Sequence, residues 1–340
     1  MPELPEVEAA RKLLSGRIVG EKVVRVELSE QGGGPRSGLV DDKVLVGPEE
    51  VRANLLGHTV RAVCRHGKQL WLEFAEPGVA AVLVHFGMTG NLLVEGVEAP
   101  KYRQAPPCDT AVWPPKFCKL EFECASGVKV AFVNSRRLGR VVCKLDPRKC
   151  APISKLGFAP LVSHPPLDAF TGLLRRRSGV LKAALLDQSF AAGVGNYLAD
   201  EICFHARIHP STPIPSLSED QIRRLHAATS LIVHTACDVD ADYTKFPEEW
   251  LFHQRWDRAK LKKGQKSFTD SRGRTCHFLT VAGRTTLVVP AIQKTTPTPE
   301  STEETTPAAE IGKKRPMAAA AGGGKRKKKA GGGEGGEMEA

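Results

Sequence analysis

Apolar positions in the first half of the chain recur mostly at every second residue. "KVVRVEL" (Lys22 to Leu28) alternates. "TVRAVCRHGKQLWLEF" puts Val60, Ala62 and Cys64 on one face and Leu70, Leu72 and Phe74 on another, with His66-Gly67 as the turn between them. "KLEFECASGVKVAFV" repeats the pattern around Ser126-Gly127. Alternating runs punctuated by Gly and Ser predict short antiparallel strands of a sandwich or barrel up to about residue 145. In front of them, "MPELPEVEAARKLL" predicts a helix. Pro5 suits its first position, and Glu6 and Glu8 complement the positive end of the dipole. Pro2 and Glu3 are left without a helical role.

From about residue 165 the period becomes helical. "SEDQIRRLHAATSLIVHTA" carries Ser218 and Gln221 in capping-box spacing and Leu217 and Ile222 as a hydrophobic staple. Ile222, Leu225, Thr229 and Ile232 share its apolar face. "VLKAALLDQS" and "NYLADEICFHARI" predict two shorter helices joined by Phe190 to Gly195. From about Trp250 to Pro290 the chain is strand-like and basic. Past Lys294 it turns to Thr, Pro and Glu, then to Ala and Gly with Lys clusters, a composition expected to stay disordered. The fold class is thus α+β and multidomain, divided at 1–150, 151–249, 250–293 and 294–340.

Charge narrows the function. The 340 residues carry a net charge of +11. Nine basic and seven acidic residues from Lys294 onward account for +2, so the body before them carries +9. That surplus points to a polyanion, nucleic acid first and an anionic membrane surface second. No window reaches the roughly 20 apolar residues of a membrane span, and the Glu-rich N-terminus does not read as a secretory signal. The 9 cysteines have irregular spacing and no C-x-x-C pair. This argues against a disulfide framework or a cysteine zinc site and suits a reducing compartment.

Several segments are candidates for chemistry. In "FAAGVGNYLADE" Gly193 and Gly195 permit a tight turn, and Asn196 opens a helix whose free amides are expected to hold a phosphate, although glycine is also common in plain helix connections. Lys68 follows a hairpin turn. His85 and Met88 lie in the Gly-flanked "VHFGMTGN". "NSRRLGR" sets Leu138 among Arg136, Arg137 and Arg140, as an apolar wedge beside cations would be. Arg284 falls at a hairpin tip in "AGRTT". Once Met1 is removed, Pro2 presents a secondary α-amine. Such an amine titrates near ~8 against ~10.4 for lysine, so it is far more often unprotonated at neutral pH. It can attack an aldehyde-like sugar carbon and form a cationic iminium, and Glu3 is placed to handle the protons.

In combination, the Met-Pro-Glu-Leu-Pro-Glu start, the Gly-Val-Gly-Asn turn and the Arg-Arg-x-Gly loop resemble the formamidopyrimidine-DNA glycosylase/endonuclease VIII family, from Met1 to about Gln293. The stretch from "FPEEWLFHQRW" to "AGRTTLVVP" is most similar to the plant branch. The resemblance implies a β-sandwich domain, then a helix-two-turn-helix domain with a DNA cleft between them. It implies Pro2 as Schiff-base nucleophile, Glu3 as general acid and Lys68 as a phosphate contact that assists elimination. It further implies His85, Asn196 and Arg284 on the phosphates flanking an everted lesion, Arg284 also assisting the second elimination. Met88, Arg136 and Leu138 would fill the gap in the duplex; many relatives carry Phe where this chain has Leu138.

The expected function is a bifunctional glycosylase and abasic-site lyase acting on oxidised purines, formamidopyrimidines and abasic sites in double-stranded DNA. It is expected to act as a monomer without a cofactor. Two rivals remain open on the residues alone: a non-catalytic damaged-DNA-binding protein and, less favoured, an RNA-binding module. Bacterial members end in a four-cysteine zinc finger. Here His253, Cys276 and His277 are the candidate ligands, too few for a closed site. Packing of Phe278, Leu279, Leu287 and Val289 is expected to replace the metal in a zincless finger. "KKR" at 313–315 and "KRKKK" at 325–329 resemble a two-part nuclear localisation signal.

Overall fold

Helix α1 (Leu4–Ile18) joins two hydrophobic cores, because its apolar residues point to different partners along its length. Leu4 is buried in a helical core, whereas Val7, Ala10, Leu14 and Ile18 are buried in a β core. Its first turn is locked by the Glu6 carboxylate, which accepts the Glu3 N–H at 2.8 Å. The computed structural model describes residues 2–99, 101–103, 109–256, 261, 265 and 267–294. The two basic clusters of the expected localisation signal lie outside the described residues.

The β core lies between two four-stranded antiparallel sheets, as the alternation predicts. One is ordered β1 (Val23–Glu27), β6 (Cys118–Cys124), β7 (Lys129–Val133), β5 (Asn91–Val94); the other β2 (Val60–His66), β3 (Gln69–Phe74), β4 (Ala81–His85), β8 (Arg140–Lys144). A short helix, α2 (Pro48–Leu55), closes one end with Val51 and Leu55. The β2 face assignment needs correction. The β2–β3 register shifts between Val60 and Ala62, so Val60, Val63 and Arg65 are buried while Ala62 and Cys64 are only partly covered. One extra residue in the ladder inverts the alternation beyond it. The turn is Gly67-Lys68, one residue later than expected.

The helical core gathers α3 (Leu167–Arg175), α4 (Leu181–Leu186), α5 (Asn196–His205) and α6 (Glu219–Asp238). The α6 start is the expected capping box. Gln221 N–H donates to Ser218 Oγ at 3.2 Å and Ser218 N–H to Gln221 Oε1 at 2.9 Å, with Leu217 and Ile222 both buried in the helical core. At the C-terminal side β9 (Ser267–Thr269), β10 (Thr275–Val281) and β11 (Arg284–Val288) form a third sheet. Phe278, Leu287 and Val289 pack with Cys276, Phe204 and Leu251 in a small core of their own. Leu279 is not part of it, because strand alternation turns it to the opposite, half-exposed face. Among the described residues no helix is long and apolar enough to cross a membrane.

Candidate active site

The N-terminus of α5 meets the N-terminus of α1, and the meeting point organises the site. Glu3 is 3% exposed, and its carboxylate accepts Tyr197 N–H at 3.0 Å and Leu198 N–H at 3.2 Å. The amides expected to hold a phosphate therefore hold Glu3 instead. A carboxylate on the first free amides of a helix satisfies them and meets the positive dipole end. Both glycines of the turn make room for this. A Cβ on Gly195 would sit 2.2 Å from Glu3 Cδ, and one on Gly193 (φ +96) 2.7 Å from Leu4 Cβ. The turn is also held by Gln188, which accepts Gly193 N–H at 3.0 Å and donates to Val194 O at 2.9 Å.

Around Glu3 opens a cavity of about 480 Å³, lined by Pro2, Lys68, His85, Met88, Asn196 and Arg284 among others. Its size suits a nucleoside-sized group. Lys68, on the β2–β3 turn, donates to Val194 O at 3.1 Å, and burial lowers its ammonium pKa. His85 ends β4. Burial, then the Lys68 charge, lowers its pKa, so the ring is neutral at neutral pH. Its Nδ1 accepts Gly87 N–H at 3.2 Å, which leaves the proton on Nε2 as a donor. Burial, then the Glu3 carboxylate, raises Glu6 to about 7.

Asn196 Nδ2 donates to Thr285 O at 3.0 Å, while its Oδ1 is buried without a partner among the described residues. Arg284 is exposed, directly after the tight Ala282-Gly283 turn, both residues of which have positive φ. The carbonyl next to it is fixed from below. Thr285 O also accepts from Arg255 Nη2 at 3.1 Å. Asp200 binds Lys182 Nζ at 2.5 Å, pairs with Arg255 and accepts Leu287 N–H at 3.2 Å. Lys182 is fully buried, and burial lowers its pKa. This charge cluster ties the hairpin to α4 and α5. Sequence reasoning did not single it out, because Lys182 reads as one polar residue in an otherwise apolar helix.

The wedge candidates lie on two loops side by side. Met88 is half-buried, and Arg136 and Leu138 are exposed, Leu138 at 52%. Arg137, grouped with them by sequence, turns inward from a left-handed backbone (φ 54) and donates two hydrogen bonds to the Asp41 carboxylate, from Nε at 2.7 Å and from Nη2 at 2.8 Å. Asn134, at 0% exposure, links the loops. Its Nδ2 donates to Phe86 O at 2.9 Å, and its Oδ1 accepts Leu138 N–H at 3.0 Å and Gly139 N–H at 3.2 Å. Thr89 Oγ1 bonds both Ser135 Oγ and Arg136 N across the same seam. Asn134 is a positioning residue whose signal was its place at the end of β7, where Asn commonly bonds a following turn.

Of the candidate metal ligands, Cys276 is buried, its thiol pushed up to about 12 by burial, then by the Asp270 carboxylate. His253 Nε2 bonds Pro247 O at 3.1 Å. Among the described residues no three Asp, Glu, His or Cys side chains are grouped as ligands.

The chain is similar to known proteins in sequence and in fold. The model of the formamidopyrimidine-DNA glycosylase N-terminal domain matches residues 1–141, and that of the formamidopyrimidine-DNA glycosylase H2TH domain matches residues 156–248. An Arabidopsis thaliana formamidopyrimidine-DNA glycosylase is 37% identical over 296 residues, covering 86% of this chain and 71% of the relative. A Parafrankia formamidopyrimidine-DNA glycosylase is 34% identical over 244 residues, covering 69% and 77%. A Lactococcus lactis formamidopyrimidine-DNA glycosylase crystallised with DNA containing an abasic site superposes with a TM-score of 0.63 at 25% identity, over 86% of this chain and 99% of that one. A variant of the same enzyme with formamidopyrimidine-containing DNA gives 0.64 at 26% identity, over 86% and 100%. The chain is a member of the formamidopyrimidine-DNA glycosylase family.

Proposed function

We propose that this glycosylase is bifunctional: it releases oxidised purines and formamidopyrimidines from duplex DNA and cleaves the resulting abasic site. The observation that carries the reading is the convergence of Pro2, Glu3, Lys68, His85, Asn196 and Arg284 on one cavity. After removal of Met1, the Pro2 nitrogen attacks the sugar C1′ and the damaged base leaves with the glycosidic electron pair. Glu3 protonates the ring oxygen as the sugar opens, giving an iminium between Pro2 and C1′. The iminium draws electrons from the sugar, and β then δ elimination expel the 3′ and 5′ phosphates. Hydrolysis of the iminium frees the amine. Lys68, His85 through Nε2–H, Asn196 and Arg284 hold the flanking phosphates, and Arg284 assists the second elimination. Met88, Arg136 and Leu138 occupy the space the lesion vacates.

The protein acts as a monomer without a cofactor, and its finger needs no zinc. The basic clusters after residue 312 direct it to the nucleus; a chain ending at Lys294 should keep glycosylase activity and lose nuclear accumulation. Borohydride reduction tests the chemistry. Incubated with an abasic-site or formamidopyrimidine duplex, wild type should give a covalent complex and Pro2→Gly much less. Efficient trapping by a form that retains Met1 overturns the Pro2 assignment. Binding without trapping or strand cleavage leaves a damage-marking protein instead.

A further inference from the structure

Past the wedge loop, on the side away from the cavity, lies a surface that the reaction above does not use. The order is set by contacts. The Met88 loop touches the Leu138 loop through Thr89 and Asn134. The Leu138 loop then reaches two further segments. Arg137 binds Asp41, which closes the glycine-rich stretch 29–41, and Asn134 N–H donates to Phe117 O at 3.1 Å. Those two segments also meet each other, since a Cβ on Gly32 (φ +73) would lie 2.2 Å from Pro115 O.

The charges here are sorted. Glu30 and Asp41 are 1% and 0% exposed, and both are paired with Lys119, itself 1% exposed; Asp41 takes Arg137 as well. The acidic groups are thus neutralised inside. Outside stand Lys116, Arg136 and Arg140, all exposed, with Arg36 half-buried at the tip of the glycine-rich stretch. None of these four forms an ion pair among the described residues, and exposed Asp42 is offset by its neighbour Lys43. Phe117 (φ 62) and Arg137 (φ 54) both adopt left-handed backbone that bulky residues avoid. Lys116 Nζ rests 5.2 Å from the Phe117 ring centroid. Buried Asp41 holds the Arg137 side chain and Asn134 N–H holds Phe117 O, so the backbone that carries the outward cations is fastened to the interior.

We propose that Arg36 and Lys116 form a second nucleic-acid surface, which holds the phosphate backbone of the strand opposite the lesion. This rests on the reading that Leu138 enters the duplex from this side. A wedge needs both strands held while it replaces a base, and the cavity residues hold only one. Cations projecting from glycine-rich backbone give contacts to phosphate without sequence preference.

Phosphate-ethylation interference on an abasic-site duplex tests this. Wild type should show interfering phosphates on both strands. Arg36→Ala with Lys116→Ala should remove the pattern on the complementary strand while that on the lesion strand persists. The slope of log K against log salt should shrink by about 1.8, since each lost contact contributes about 0.9. Lys116→Arg should restore part of it, and an unchanged melting temperature would exclude misfolding. Wild-type interference confined to the lesion strand, or an unchanged complementary pattern in the double variant, overturns the surface and leaves the glycosylase reading standing. Failure of wild type to bind or trap the duplex overturns both.

Discussion

Glu3 and Gly195 are in contact so close that a methyl group on Gly195 would lie 2.2 Å from the Glu3 carboxyl carbon. The glycine is needed for space and not for backbone conformation, since its φ is −123. Gly195→Ala should therefore displace Glu3 from the α5 amides while the chain still folds. Base excision should fall by two orders of magnitude or more, on the order of 3 kcal/mol in transition-state stabilisation. Near-normal excision with an unchanged circular dichroism spectrum would show that Glu3 does not depend on that seat.

Glu6 makes stability depend on pH. Its folded value of about 7 lies above the ordinary 4.5, so the folded chain binds a proton that the unfolded chain releases. Sign follows directly: the contribution is complete below about 4.5 and is lost as pH rises through 7. Across that window wild type should lose on the order of 3 kcal/mol relative to Glu6→Gln, which cannot titrate. Urea titrations of both proteins at several pH values measure the difference. A difference that stays flat between pH 4.5 and 7 contradicts the raised value.

Asn134 joins the two loops by bonds that an alanine cannot make. Asn134→Ala leaves the Leu138 and Gly139 N–H groups without it, at about 1–3 kcal/mol for each buried group unsatisfied, while Phe86 O keeps the Gly90 N–H at 2.8 Å. Asn134→Asp keeps the acceptor for Leu138 and Gly139 but sets a buried carboxylate oxygen against Phe86 O, so it should not restore the lost stability. The loops' positions should show in opposite-base preference: excision rates opposite each of the four bases should converge in the alanine variant. Stability loss with preference intact would restrict Asn134 to a folding role.

The C-terminal hairpin is expected to stand without metal. Its interior is Phe278, Leu287, Val289 and a protonated Cys276, and its base is fastened by Lys182, Asp200 and Arg255. Chelators should leave the melting temperature and strand cleavage unchanged, and elemental analysis should find no stoichiometric zinc. Asp200→Ala, in contrast, strands Lys182 in the interior and should cost about 3–5 kcal/mol. One zinc per chain, with activity lost on its removal, would refute this account.

Local periodicity was enough to locate most elements. The strands around Gly67 and Ser126, the α6 capping box and the helices on either side of Gly193 depend on neighbours a few residues apart, and such patterns are printed in the sequence. Pro2, Glu3, Lys68, His85, Asn196 and Arg284 were also legible, because each occurs in an unusual local setting, and the cavity gathers all six. Partnership was not legible. The α5 amides appeared free for a phosphate until packing brought them to a carboxylate 194 positions earlier in the chain. "RR" in "NSRRLGR" gave two equal arginines; a left-handed turn sends Arg137 to a buried aspartate and Arg136 to solvent. The bulge in β2 and the Lys182–Asp200–Arg255 cluster have the same origin. Periodicity records which way a side chain points from its own element, whereas burial and pairing are decided by what other elements place opposite it.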